Sequence, residues 1–310
     1  MKSHVPVMMK EVLTALAPQD GGTYVDGTFG RGGHTRAILA VAETRVIAID
    51  RDPAAIAAGA DFDKRLTIIA GNFGNMPALL TKLGVGRIDG VLLDLGVSSP
   101  QLDDPARGFS FAADGPLDMR MGGDGPTAAE LVNGAQEDEL ADIIHNLGEE
   151  RRARRVARAI VERRTEKPFT RTDDLATVIR QVVRASKDGL DPATRTFMAL
   201  RIRVNDELEE LQRGLSAAEH LLTPGGRLAV ISFHSLEDRM VKTFLRRRSD
   251  KSAGVSRHQP LASTAAPSFR LIKRGTVKPS AAEILDNPRA RSARLRAAIR
   301  TDAPAWPKAA

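Results

Sequence analysis

The sequence predicts an α/β fold, a parallel sheet flanked by helices and interrupted by a helical insertion, and three observations predict it. Short apolar, strand-like runs alternate with Ala-rich stretches over the first third of the 310 residues. Strand signals vanish across residues 105–184, where helical periodicity takes over in an Arg-, Asp- and Glu-rich composition. They return after residue 222 as a new apolar run. A hydrophobic content of 42% is ample for one large domain plus a smaller one.

The first strand is Thr23-Tyr24-Val25, and a glycine-rich turn over residues 26–35 follows it. Gly27, Gly30, Gly32 and Gly33 let the backbone turn tightly and approach a ligand, and a helix starting near His34 aims its free N–H groups there. Residues 46–50 form the second strand, closed by Asp50 at the spacing from which a carboxylate accepts hydrogen bonds from ribose hydroxyls. A dinucleotide fingerprint needs glycine where Thr35 stands, which weakens an NAD-dependent oxidoreductase. The acidic-x-Gly-x-Gly-x-Gly loop of S-adenosylmethionine-dependent methyltransferases fits better, with Asp26, Gly30 and Gly32 in place and Thr28 replacing the first glycine. A ligand-free strand-to-helix turn is the plainer alternative.

Residues 66–70 deliver Asn72 and Phe73 to the same sheet edge, Asn72 for an adenine edge and Phe73 for its face or simply for the core. The run 88–95 ends in Asp94, placed either as an active-site carboxylate at a strand's carboxyl end or as a loop cap. After the insertion, Leu200, Val204, Leu208, Leu211, Leu215, Ala218 and Leu222 step by three and four as one long helix, with Asp191-Pro192 as its cap and first turn. Pro224-Gly225-Gly226 then turns into a buried fifth strand, 227–233. Residues 251–268 read as a loop without core, 269–274 and 293–300 as closing strands, and the last ten residues, Trp306 included, as a frayed tail. The expected domains are 1–104 and 191–300 for the sheet, 105–190 for the insertion and 301–310 for the tail.

Lys and Arg outnumber Asp and Glu by 46 to 39, and the resulting +7 favours a polyanionic partner. Arg151, Arg154, Arg155 and Arg158 share one helical face opposite Ala153, Val156, Ala157 and Ile160, an RNA-binding face or an ordinary solvated one. With aromatics at 4% there is no stacking platform, so RNA would be recognised by shape and phosphate. Absence of cysteine excludes disulfides and thiolate metal sites, the histidine spacing gives no metal motif, and no run is long and apolar enough for a signal peptide or membrane span. The default location is cytoplasmic. The Ser, His and Asp crowd at 232–239 lacks the G-x-S-x-G elbow of a hydrolase, which leaves His234 lining a substrate pocket or capping the following helix.

Across most of its length the chain resembles the MraW family of bacterial ribosomal RNA small-subunit methyltransferases H. The resemblance is carried by His4-x-Pro6-Val7, residues 26–34, Ala48-Ile49-Asp50-Arg51-Asp52-Pro53, residues 92–103, Arg107-Gly108-Phe109-Ser110-Phe111 and Gly115-Pro116-Leu117-Asp118-Met119-Arg120. Gly148-Glu149-Glu150-Arg151, Ala193-Thr194-Arg195-Thr196-Phe197, residues 232–239 and Asn287-Pro288-Arg289-Ala290-Arg291-Ser292 continue it. It implies a Rossmann-like class I S-adenosylmethionine-dependent methyltransferase sheet with a helical insertion domain for RNA recognition. It also implies N4-methylation of a cytidine in 16S rRNA, met in an assembled small ribosomal subunit or as naked RNA, with no membrane and with a homodimer left open. Gly32, Gly33, His34, Asp50, Phe73, Asp94 and Gln101 carry over as contacts of S-adenosylmethionine.

A cytidine amino nitrogen is a poor nucleophile, and a protein group must accept a hydrogen bond from its N–H to turn the lone pair toward the methyl. Many amino-methyltransferases use an Asp/Asn-Pro-Pro-aromatic tetrad, whereas this chain has Asp94-Leu95-Gly96-Val97-Ser98-Ser99-Pro100. The candidate acceptors are Asp94 first, then Ser98, Ser99 and His234. A noncatalytic RNA-binding module that uses the adenosyl pocket as a sensor is the alternative from another class.

Overall fold

The computed structural model describes residues 6–60, 62–184, 189–249 and 265–307. They divide into two compact units, residues 1–96 with 208–310, and residues 97–207.

The first unit is a seven-stranded sheet: β1 (Thr23–Asp26), β2 (Arg45–Asp50), β3 (Leu66–Ala70), β4 (Ile88–Asp94), β5 (Leu222–Ser232), β6 (Phe269–Leu271) and β7 (Arg294–Arg300). Their order is β3-β2-β1-β4-β5-β7-β6. The first five neighbours pair in parallel, and β7 lies antiparallel between β5 and β6. The near-continuous apolar runs of β1, β2 and β4 follow from burial on both faces. Alternate residues serve opposite cores: Val25, Ile47, Ile49, Val91 and Leu93 pack with Met76, Leu80, Leu211 and Leu215. Tyr24, Val46 and Leu92 pack on the other side with Val12, Leu16, Ile38 and Leu39.

Chain order reverses between β1 and β4, so the loops leaving those two strands part there and open a crevice at their carboxyl ends. That topology puts the glycine turn after β1 and Asp94 at the end of β4 on one edge. The helix Met9–Leu16, unmarked in the sequence pattern, packs Val12 and Leu16 into the second core.

Several expectations are corrected. The long helix is two, Thr194–Val204 and Glu207–Leu221, broken where Asp206 takes a left-handed backbone with φ 47°. Asn205 stabilises the break: its buried side chain donates to Met119 O at 2.8 Å and Arg201 O at 2.9 Å and accepts from Met121 N–H at 2.8 Å. Leu200 belongs to the helical core, whereas Leu211 and Leu215 belong to the sheet. Asp191 accepts from Ala193 N–H at 2.8 Å, one residue before the first of these helices begins. The turn Pro224-Gly225-Gly226 is an irregularity inside β5, which already pairs Leu222 with Ile88.

The tail is docked. Trp306 N–H donates to Glu219 Oε1 at 3.0 Å and its indole N–H to Ala266 O at 3.0 Å, while Arg300 holds Thr301 O and Ala303 O. Of the expected coreless loop, residues 251–264 lie outside the described residues, but Ser268 is fully buried against Glu219.

The second unit is helical: Ala128–Gly134, Glu137–Gly148, Ala153–Arg164, Thr172–Val182 and Thr194–Val204. Ile144, Val156, Ile160, Phe169, Leu175, Ile179, Phe197 and Leu200 form its core. It is wider than the 105–190 read from the sequence, because Phe197 and Leu200 on one side and Val97 and Leu102 on the other pack into that same core.

Candidate active site

The glycine turn is built around Asp26. This buried carboxylate accepts from Thr28 N–H at 3.2 Å and from Thr35 Oγ1–H at 2.7 Å, closing the turn onto the helix Gly33–Val41. Thr28 Oγ1 in turn accepts from Asp94 N–H at 2.7 Å, and Gly27 N–H donates to Leu92 O at 2.9 Å, which ties the turn to β4. Gly32 has φ +68°, and a Cβ there would lie 2.6 Å from Phe29 Cε2 and 2.7 Å from Phe62 Cε2. A left-handed backbone alone costs an L-residue about 1–2 kcal/mol. Gly32→Ala is therefore expected to lower unfolding free energy by at least about 1 kcal/mol, measured by urea denaturation; a change near zero would mean that this turn relaxes freely.

His34 is buried, with Nε2 2.9 Å from Val7 O and Nδ1 3.6 Å from Asp94 Oδ2. Its ring fastens the amino-terminal segment and β4 to the turn. Gly33 admits that segment too, since a Cβ would lie 2.3 Å from Pro6 Cγ; His4 lies outside the described residues. At the end of β2, Asp50 accepts from Gly30 N–H and Asp52 N–H, both at 2.8 Å. A carboxylate has about four lone-pair sites, so two remain for a ligand's hydroxyls. Burial pushes the Asp50 pKa up despite those two hydrogen bonds. Phe73 is 8% exposed and packs in the sheet core against the face of Gly214, so its ring serves the core and not an open stacking surface.

Asp94 is the chemical centre of this edge. Its side chain is 24% exposed, but Oδ1 is buried without a hydrogen-bond partner among the described residues. An orphaned buried carboxylate oxygen in a native fold calls for a partner from outside. Burial pushes the Asp94 pKa up to about 6; His34 pulls it down, and the charges of Asp26 and Glu237 add to the rise. Such a carboxylate is ionised at neutral pH yet still basic enough to receive a proton.

Beside it, β5 pairs Ile231 with Asp94 and carries the chain to His234. Neither ring nitrogen of His234 completes a hydrogen bond among the described residues, although Nε2 is 3.2 Å from Glu237 Oε1. Glu237, buried, accepts from Phe233 N–H at 2.7 Å and His234 N–H at 3.3 Å. It was not singled out from the sequence, yet its place three residues after His234 is the capping spacing of a helix start, here the helix Ser235–Ser249. His234 thus stands at the helix cap and within the polar edge at once.

The other sequence-derived residues belong to the helical unit. Ser98 N–H donates to Gln101 Oε1 at 2.9 Å at the start of the short helix Ser99–Asp103, and Gln101 is buried. Arg154, Arg155 and Arg158 lie exposed on the helix Ala153–Arg164 opposite Ala153, Val156, Ala157 and Ile160, with Arg158 3.5 Å from Glu137. Arg151 precedes that helix instead of sharing its face.

A family model described as the MraW methylase family matches residues 1–301. The chain is 62% identical to a ribosomal RNA small subunit methyltransferase H of Rhodospirillum rubrum, covering 98% of this chain and 96% of that protein. It is 63% identical to the protein of the same name from Rhodospirillum centenum, covering 97% and 93%. Among solved structures, a putative rRNA-methylase from Clostridium thermocellum aligns over 97% of this chain and 99% of its own, at 13% identity and a TM-score of 0.44. At that score the fold assignment rests on strand order and direction.

Proposed function

The chain belongs to the MraW methylase family, and on that premise we propose that it transfers a methyl group from S-adenosylmethionine to N4 of a cytidine in 16S ribosomal RNA. The observation that carries the reading is Asp94: a carboxylate with a raised pKa and one orphaned oxygen, at the switch point of the sheet beside a glycine turn. The names of its relatives supply the substrate class.

The residues fit the cofactor. Asp50 keeps lone pairs for ribose hydroxyls and the helix Gly33–Val41 directs its amino end at the crevice, while Gly32 and Gly33 let the turn close against Phe29, Phe62 and Pro6, where a Cβ would not fit. With His34, Phe73 and Asp94 they complete the set on the sheet unit that would hold it, His34 and Phe73 by fixing the turn and the edge from behind. When bound, the cofactor supplies a methyl group activated on a sulfonium.

Asp94 is the group that prepares the acceptor. Its carboxylate takes a hydrogen bond from one amino N–H of cytidine, which frees the nitrogen lone pair from the ring, and it receives the proton that N4 sheds as the N–C bond forms. His234, oriented by Glu237, is the second polar group available to the base. Ser98 is used as a helix cap, which leaves it and Ser99 behind Asp94 as acceptors. We place the reaction on assembled small subunits in the cytoplasm, because a chain poor in stacking aromatics and rich in arginine suits a folded, phosphate-rich target.

The experiment is transfer of a radiolabelled methyl group to small subunits from cells lacking this protein, followed by nucleoside digestion. Label on N4-methylcytidine is the expected result. A chain that binds cofactor and subunits but leaves the rRNA unlabelled is a noncatalytic module.

A further inference from the structure

The helical unit contains a cleft of about 220 Å³ around which four arginines gather: Arg151, Arg152, Arg184 and Arg195. Its acidic groups are Glu150 and Asp191, and both are engaged internally. The helix Glu137–Gly148 ends with Glu149 in a left-handed backbone at φ 51°, and this turn sends Glu150 inward, 5% exposed. There Glu150 accepts from Arg152 N–H at 2.8 Å and lies 3.9 Å from Arg195 Nη1. Asp191 accepts from Ala193 N–H and pairs at 3.0 Å with Arg180, which does not line the cleft.

Positive charge is left over. Arg151 and Arg184 are exposed and have no acidic partner among the described residues, and the Arg152 guanidinium donates to Val182 O at 3.4 Å. The helices Ala153–Arg164 and Thr194–Val204 both begin at residues beside this cleft, adding the partial positive charge of two helix starts. Like charges gathered in so small a volume repel unless an anion joins them, and guanidinium forks match phosphate oxygens in pairs.

We propose that this cleft binds a backbone phosphate of the RNA substrate, apart from the exposed face of Arg154, Arg155 and Arg158. It rests on the reading that ribosomal RNA is the substrate. It differs from that reading in naming where the helical unit grips the chain and through what chemistry.

The test compares the full-length protein with an Arg151→Ala/Arg184→Ala double variant for affinity toward small subunits and toward deproteinised 16S rRNA, as a function of monovalent salt. S-adenosylmethionine affinity and thermal unfolding are measured alongside. The proposal expects at least tenfold weaker binding of both RNA substrates at physiological salt and a salt slope smaller by about one to two. Cofactor affinity and unfolding temperature stay as in the wild type, and an Arg154→Ala/Arg155→Ala variant loses less. Unchanged affinity and slope in a variant that still methylates rRNA would overturn the cleft and leave the functional reading intact. A loss confined to intact subunits, with binding to deproteinised rRNA unchanged, would assign the cleft to an acidic ribosomal protein and overturn it as well. Failure of the wild type itself to bind or methylate rRNA would overturn both.

Discussion

Asp94→Asn is expected to lower the rate of methyl transfer at saturating substrates by at least about hundredfold, the scale of a positioned general base, without unfolding the protein. Asparagine keeps the size of the side chain but accepts no proton. The pH profile adds a second reading. Because burial raises the Asp94 pKa to about 6, the wild-type rate is expected to climb as pH rises through about 6 and level off above 7, and this limb should be absent from the residual rate of the variant.

Stability moves the opposite way. The folded pKa of about 6 lies above the unfolded value of about 3.9, so the native state binds the proton more tightly, and stability from this group is lost as pH rises between those values. Asp94→Asn removes that penalty, and its unfolding midpoint at pH 8 should equal or exceed the wild-type value. A variant with near wild-type turnover would remove Asp94 from the chemistry; a variant that unfolds at pH 8 would contradict the stability expectation.

The second large effect is on stability alone. Glu219 is fully buried on the helix Glu207–Leu221, where Oε2 accepts from Arg248 Nε and Oε1 from Ser268 Oγ–H at 2.6 Å and Trp306 N–H at 3.0 Å. One carboxylate thus joins two helices, the lead-in to β6 and the tail. Glu219→Ala leaves the Arg248 guanidinium, 14% exposed, without its counter-charge. Breaking such a buried pair costs about 3–5 kcal/mol, a large part of the 5–15 kcal/mol or so by which a domain is stable. Glu219→Gln keeps an acceptor and loses the charge, so its cost should fall in between. Urea denaturation reads both, and the only tryptophan, Trp306, reports release of the tail by its fluorescence. A cost below about 1 kcal/mol for the alanine variant would show that the network is not needed to hold the tail.

Much of the candidate site was legible in the sequence because it is local. The glycine turn, Asp50 and Asp94 each follow directly on an apolar strand, and strand ends on a parallel sheet share an edge by topology. The carboxylate's orphaned oxygen was not legible, since it depends on what surrounds Asp94 in space. Periodicity misled at two places for one reason: it reports which way residues face and not whether the backbone is continuous. The three-and-four spacing runs unbroken through Asn205 and Asp206, where the chain leaves the helix. It also put Arg151 in line with Arg154, although Glu149 delays the helix until Ala153. The docking of Trp306 joins residues 87 apart, and no local pattern announces such a pairing.

The central claim is that the edge formed by the glycine turn, Asp50 and Asp94 holds an adenosyl methyl donor. Equilibrium titration of the purified chain with S-adenosylmethionine, and separately with NADH, tests it most directly. The account predicts saturable one-to-one binding of S-adenosylmethionine, weakened by Asp50→Ala, and none of NADH; absence of S-adenosylmethionine binding, or binding that ignores Asp50, would contradict it.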